Sequence, residues 1–113
     1  MKNLIDYSEF IKIEIRVGTI ISAEINNQLQ KPSVILKIDF GEYIGIKKSS
    51  AQLTKNYNSE QLIHKQIAAV INFPEKQIGN LISEVLVLGF PDENGDPILI
   101  SPDKKVANGG RLY

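Results

Sequence analysis

Apolar and polar residues alternate along much of the chain with period two, the signature of half-buried strands. From Lys12 to Val17, Ile13, Ile15 and Val17 fall on one side, and Lys12, Glu14 and Arg16 on the other. The apolar phase shifts after Gly18, where Ile20 and Ile21 are adjacent. A glycine at a phase shift predicts a bulge. Val34, Leu36, Ile38 and Phe40 share one face of a second strand, Val34 to Phe40. Gly41-Glu42 suits a two-residue type II′ loop. Tyr43 to Lys47 is then the returning third strand, burying Ile44 and Ile46. Ser49 to Ile63 is the one helical stretch, read as two short pieces. Ser49 and Gln52 stand at capping-box spacing, and Leu53 and Tyr57 are i,i+4 neighbours. Asn58 suits a left-handed end to the first piece, and Ser59 a cap for the second. Ile67 to Phe73 is apolar on both faces apart from Asn72, as in a central strand, and Pro74 ends it. Val85 to Phe90 is a further apolar run. Asn94-Gly95 is a strong hairpin signal, with Ile98 to Ile100 as the return.

Three strands, a short helical connection and two or more further strands make the layout of a five-stranded OB-fold barrel, an all-β fold. The extra C-terminal strands lie beyond the five. Six or seven short strands also permit a two-sheet sandwich, but the lone helical insertion after strand three favours the barrel. The length of 113 residues suits one domain, 1–113. No apolar run approaches the 18 or so residues of a membrane span. The opening MKNLIDYSEF has no apolar signal-peptide core. A soluble, cytoplasmic location without membrane insertion is expected.

Composition closes several chemical classes. The chain has no cysteine and one histidine, which removes thiol nucleophiles, iron–sulfur clusters, cysteine zinc sites and HExxH motifs. A Ser–His–Asp triad would have to use His64, which stands at a turn between Ile63 and Lys65. No serine sits in a nucleophile elbow, and the glycines at 41 and 45 form neither a P-loop nor a dinucleotide fingerprint. No enzyme activity and no cofactor are expected. Glu84, beside Ser83 at the mouth of an apolar run, is the carboxylate to watch. Thirteen basic and thirteen acidic residues balance overall, yet unevenly. Lys47 to Lys76 holds five lysines against two acids, and the rest of the chain eight basic against eleven acidic residues. A neutral total thus leaves room for a basic face.

Several runs, in this order, resemble the CsaA family. They are Ile15-Arg16-Val17-Gly18-Thr19-Ile20, Ile38-Asp39-Phe40-Gly41, Lys47 to Thr54, Val70 to Ile78, Ser83 to Gly89 and Asn108-Gly109-Gly110-Arg111. The resemblance covers about residues 8–113. His64 stands where the family pattern leads one to expect glycine, and Asn26 to Lys31 holds Lys31 as its one cation. The resemblance implies an OB-fold tRNA-binding domain and a homodimer. It also implies a second role, as an export-related holdase gripping unfolded precursor proteins through an apolar groove.

Carried over residue by residue, the resemblance assigns RNA contacts to Arg16, Lys47, Lys48, Ser49, Ser50, Gln52, Asn72, Lys76, Ser83 and Glu84. Lys47 and Lys48 would meet phosphates. Ser49, Ser50 and Gln52 would contact sugar or base edges, with helix capping as the other role for Ser49. Asn72 either satisfies backbone groups at a strand end or faces RNA. Arg16 either binds phosphate or pairs with Glu14 or Glu24. Ser83 suits a ribose hydroxyl, and Glu84 either accepts from a guanine edge or orients a lysine. Interface candidates for the dimer are Leu4, Ile5 and Phe10 or the Ile98–Ile100 edge.

Overall fold

A computed structural model describes residues 3–27 and 31–113. Gln28 to Gln30, inside the cation-poor Asn26–Lys31 segment, lie outside the described residues. The elements are α1 (Tyr7–Phe10), β1 (Ile15–Asn26), β2 (Ser33–Asp39), β3 (Ile46–Ala51), α2 (Ser59–Leu62), β4 (Gln66–Val70), β5 (Lys76–Ile78), β6 (Leu81–Ser83), β7 (Leu86–Val87), β8 (Gly89–Pro91) and β9 (Pro97–Leu99). Five of the strands form one antiparallel sheet in the order β3-β2-β1-β4-β7. β5–β6 and β8–β9 are separate hairpins.

β1 organises the sheet because it is long enough to serve two partners. Its second half pairs with β2 and its first half with β4. The free side of that first half is taken by the chain end. Val17 N donates to Gly110 O at 3.1 Å, and Gly109 N to Val17 O at 2.7 Å. The register with β2 slips between Ile20 and Ser22. This bulge sharpens the local twist and lets the sheet curl into an OB-fold-like half-barrel.

The bulge therefore lies at Ile21, three residues after the glycine expected to carry it. Gly18 has another task. A Cβ there would come within 2.6 Å of Ile38 Cγ2 and 2.8 Å of the Phe40 ring. Its missing side chain lets β1 pack closely on the core. The core comprises Ile20, Leu36, Ile38, Phe40, Leu53, Leu62 and Ile67, all almost fully buried. The alternation expected before Gly18 is not sharp: Ile15, Arg16 and Val17 are all half-buried, Ile13 lies exposed ahead of β1, and Gly18 and Ile20 are the buried positions. α2 contributes Leu62 to the core between β3 and β4, where the helical connection was expected.

The sequence pattern misplaces four boundaries. The β2–β3 loop runs from Gly41 to Gly45, both at positive φ (94° and 89°), with Gly45 N donating to Gly41 O. The two-residue II′ turn is absent, and Ile46 is exposed. β3 then extends to Ala51, so the expected helix start is strand. The capping box belongs to Asn58 and Gln61, with Asn58 extended at φ −100°, neither left-handed nor replaced by Ser59. β4 stops at Val70, leaving Asn72 and Phe73 outside it. The Ile98–Ile100 edge is not open. β9 pairs with β8, Leu99 N donates to the Tyr57 hydroxyl, and Ile100 O accepts from Ala68 N.

Gly18→Ala should destabilise the fold by about 1–3 kcal/mol, since the added methyl overpacks rigid core atoms. Urea unfolding would show a lower midpoint with an unchanged slope. An unchanged midpoint would show that the core yields freely there.

Candidate nucleic-acid interface

The curled sheet leaves a gap between its edge strands, and the stretch Ser83-Glu84-Val85 bridges it. Glu84 N donates to Lys48 O at 2.8 Å, and Lys48 N donates to Glu84 Oε1 at 3.0 Å. Ser50 N donates to Ser83 Oγ at 3.1 Å, and Ser49 Oγ donates to Val85 O at 3.0 Å. The outward N–H groups of Lys48 and Ser50 are thus satisfied by side chains rather than by a ladder. Two serines and a carboxylate perform what a continuous strand would otherwise do. That explains so polar a sequence as Lys47-Lys48-Ser49-Ser50 inside a strand.

Strand alternation divides these residues between two faces. Ser49 lies opposite Leu36 on the inner face and is buried. Lys47 lies opposite Ile38 on that same face, toward the barrel end. Lys48 lies opposite Lys37, and Ser50 opposite Ile35, on the outer face. Lys37 and Lys48 are both exposed. Like charges directly opposite each other repel. Among the described residues neither forms an ion pair; the one ion pair is Arg16–Glu14.

Beside this face opens a pocket of about 290 Å³. Ser50, Ser83 and Glu84 line it from the seam, and Lys76 lines it from β5. Its apolar wall includes Phe73, Ile78 and Leu86. The β5–β6 hairpin builds the outer wall, turning at Gly79 with φ 61°.

Four of the ten expected residues, Ser50, Lys76, Ser83 and Glu84, therefore meet at one pocket, and Lys48 adjoins it through Glu84. The others are placed elsewhere. Arg16 donates to Glu14 Oε1 at 2.9 Å and to Gly109 O at 3.0 Å, near the chain end. Asn72 accepts from Glu14 N at 2.9 Å and donates to Lys12 O at 2.6 Å, pinning the N-terminal segment. Gln52 is exposed just beyond β3. Two residues of this surface escaped the sequence reading. Lys37 was legible in principle, since the alternation in β2 puts it outward. Phe73 was hidden inside an apolar run, although Pro74 beside it signalled that the strand had ended.

The "Putative tRNA binding domain" family model matches residues 15–111. The methionine–tRNA ligase of Methanococcoides burtonii is 35% identical over 112 residues, which is 99% of this chain and 16% of the ligase. That of Porphyromonas gingivalis is 28% identical over 96% of this chain and 15% of its own length. The chain thus spans about a sixth of these enzymes. The crystal structure of the chaperone CsaA from Bacillus anthracis superposes with a TM-score of 0.92 at 43% identity, covering 98% of this chain and 100% of its own. The CsaA chaperone protein from Picrophilus torridus gives 0.89 at 48% identity, covering 97% and 100%. The MetRS-related protein from Pyrococcus horikoshii gives 0.87 at 25% identity, covering 99% and 100%.

Ser49→Ala should cost about 1 kcal/mol, because it strips a buried carbonyl of its principal donor. Ser83 Oγ, at 3.4 Å from the same carbonyl, limits the loss. Chemical denaturation measures it; stability equal to wild type would show that the seam adds nothing to the fold.

Proposed function

The chain belongs to the tRNA-binding-domain family, and within it to the CsaA-like proteins; from that premise we propose that it is a non-catalytic, homodimeric module that binds tRNA in the cytoplasm. It recognises backbone and shape rather than one sequence. The observation that carries this reading is the Lys37–Lys48 pair on the outer face of β2 and β3. Two opposed cations without an acidic partner gain from a phosphate placed between them. Strands two and three are also where OB-folds commonly bind oligonucleotides. Lys76 extends the charge to the far side of the pocket. Lys47 and Arg16 lie off this face, and Arg16 is already partnered.

The dimer has support of its own. The N-terminal segment exposes Leu4 (94%), Ile5 (67%) and Tyr7 (70%), and the chain ends on a fully exposed Tyr113. Leu112, Tyr113 and Arg111 border the same surface as Tyr7, Phe10 and Ile11. An apolar patch of this kind on a small domain marks an interaction site. A dimer would present two lysine faces to one tRNA and raise the effective affinity.

Gel-shift titration at two salt concentrations tests the binding. Total tRNA should bind more tightly than duplex DNA. Lys37→Ala with Lys48→Ala should weaken all tRNAs about equally and reduce the salt slope by roughly 0.7–0.9 for each phosphate no longer neutralised. Full affinity with an unaltered slope would place the RNA elsewhere on the surface. Sedimentation at micromolar concentration should report about twice the 12.6 kDa chain mass; a persistent monomer would remove the two-face arrangement.

A further inference from the structure

We propose that the pocket between β3, the Phe73–Pro74 turn and the β5–β6 hairpin receives one unstacked base of the bound RNA, stacked on Phe73 and read by Glu84, with guanine preferred. This rests on the RNA-binding reading above and adds a base-specific subsite to a backbone-binding face.

Three observations converge on it. Phe73 is 51% exposed at the pocket wall. Its ring lies beside a cationic face rather than in the core. Aromatic rings placed so are stacking platforms for single-stranded bases. The pocket, at about 290 Å³, has room for one planar group of a base's size.

Glu84 is the second observation. A carboxylate on a phosphate-binding face repels the phosphates; beyond capping Lys48 N through Oε1, what it can still accept comes from another part of the ligand. It is rigidly held: its backbone N–H and its Oε1 both bond to the Lys48 backbone. No lysine or arginine pairs with it among the described residues. A fixed acceptor at the rim of an apolar slot selects a base edge that carries donors. Guanine presents N1–H and the N2 amino group side by side. Uracil presents two carbonyl oxygens flanking one N–H, and those oxygens would face the carboxylate.

The third observation concerns the other class of occupant. A peptide adding as a strand would need free backbone donors on β3. The N–H groups of Lys48 and Ser50 are already taken by Glu84 and Ser83. Stacking needs none of them.

The test uses the full chain with three probes: total tRNA, the single-stranded octanucleotides (UG)4 and U8, and an unfolded client protein in an aggregation assay. Phe73→Leu keeps an apolar side chain but removes the ring. Glu84→Gln keeps an oxygen able to accept from Lys48 N but removes the charge. Thermal unfolding midpoints check that each variant folds. Phe73→Leu should weaken tRNA binding about five-fold or more with the salt slope unchanged, and Phe73→Tyr should restore it. Wild type should prefer (UG)4 to U8, and Glu84→Gln should lose that preference. If wild type binds tRNA but Phe73→Leu binds it equally well, the base pocket is overturned and the lysine face stands. Equal affinity for (UG)4 and U8, or a preference that survives Glu84→Gln, overturns the reading by Glu84. Loss of client protection in Phe73→Leu with tRNA affinity intact overturns the proposal in favour of a peptide. Failure of wild type to bind tRNA overturns the RNA-binding reading and this subsite together.

Discussion

The seam between β3 and Ser83-Glu84-Val85 is the constraint on which the rest of the structure depends. A five-stranded curled sheet of this size cannot close with an unbroken ladder when β7 is two residues long. Its β3 edge would then expose unpaired N–H groups to water and to other chains. Here one backbone bond and three side-chain bonds close the gap instead. Because side chains do the closing, the residues there must be short and polar, or carboxylate. The same requirement places a polar rim at the barrel surface, beside a hairpin that walls off an apolar recess. Closure of the fold and construction of the candidate binding face are one arrangement.

That dual use explains why the site departs from ordinary surface chemistry. Lys37 and Lys48 stand opposite each other, an arrangement that costs stability in the free protein. Glu84 is held beside them without neutralising either by an ion pair. A surface selected only for stability would pair these charges. Under the RNA-binding reading proposed above, a phosphate would neutralise these unpaired cations and a base edge would meet the carboxylate acceptor.

The parts of the fold legible in the sequence were those where side-chain alternation and burial agree. β2 is the clearest case, with Val34, Leu36 and Ile38 buried as its period-two pattern requires. The return strand against β2 was legible, but its extension through Ser49 to Ala51 was not, because the inward Ser49 is polar and bonds a carbonyl 36 residues away. A serine-rich stretch of that kind reads as a helix cap when its partner is out of view. β5, β6 and β8 have three residues each, too few to show a period. The start of β1 was hard to phase because Gly18, which packs against Ile38 and Phe40, carries no apolar signal. For the site, Glu84 beside Ser83 stood out at the mouth of an apolar run, and the family resemblance added an RNA-contact role to the pair, whereas an isolated carboxylate at a strand end is ordinarily solvated. Lys47 and Lys48 read as one basic motif, but consecutive strand residues point to opposite faces, and the register separates them.

Amide hydrogen exchange at Lys48, Ser50 and Glu84 tests the central claim most directly, because these are the N–H groups that form the seam. If the seam closes the barrel, all three should exchange only through global unfolding, with protection matching that of Leu36 in β2. If they exchange through local opening while Leu36 stays protected, the sheet is an open half-barrel whose edge is free. The binding face would then not be fixed by the closure of the fold.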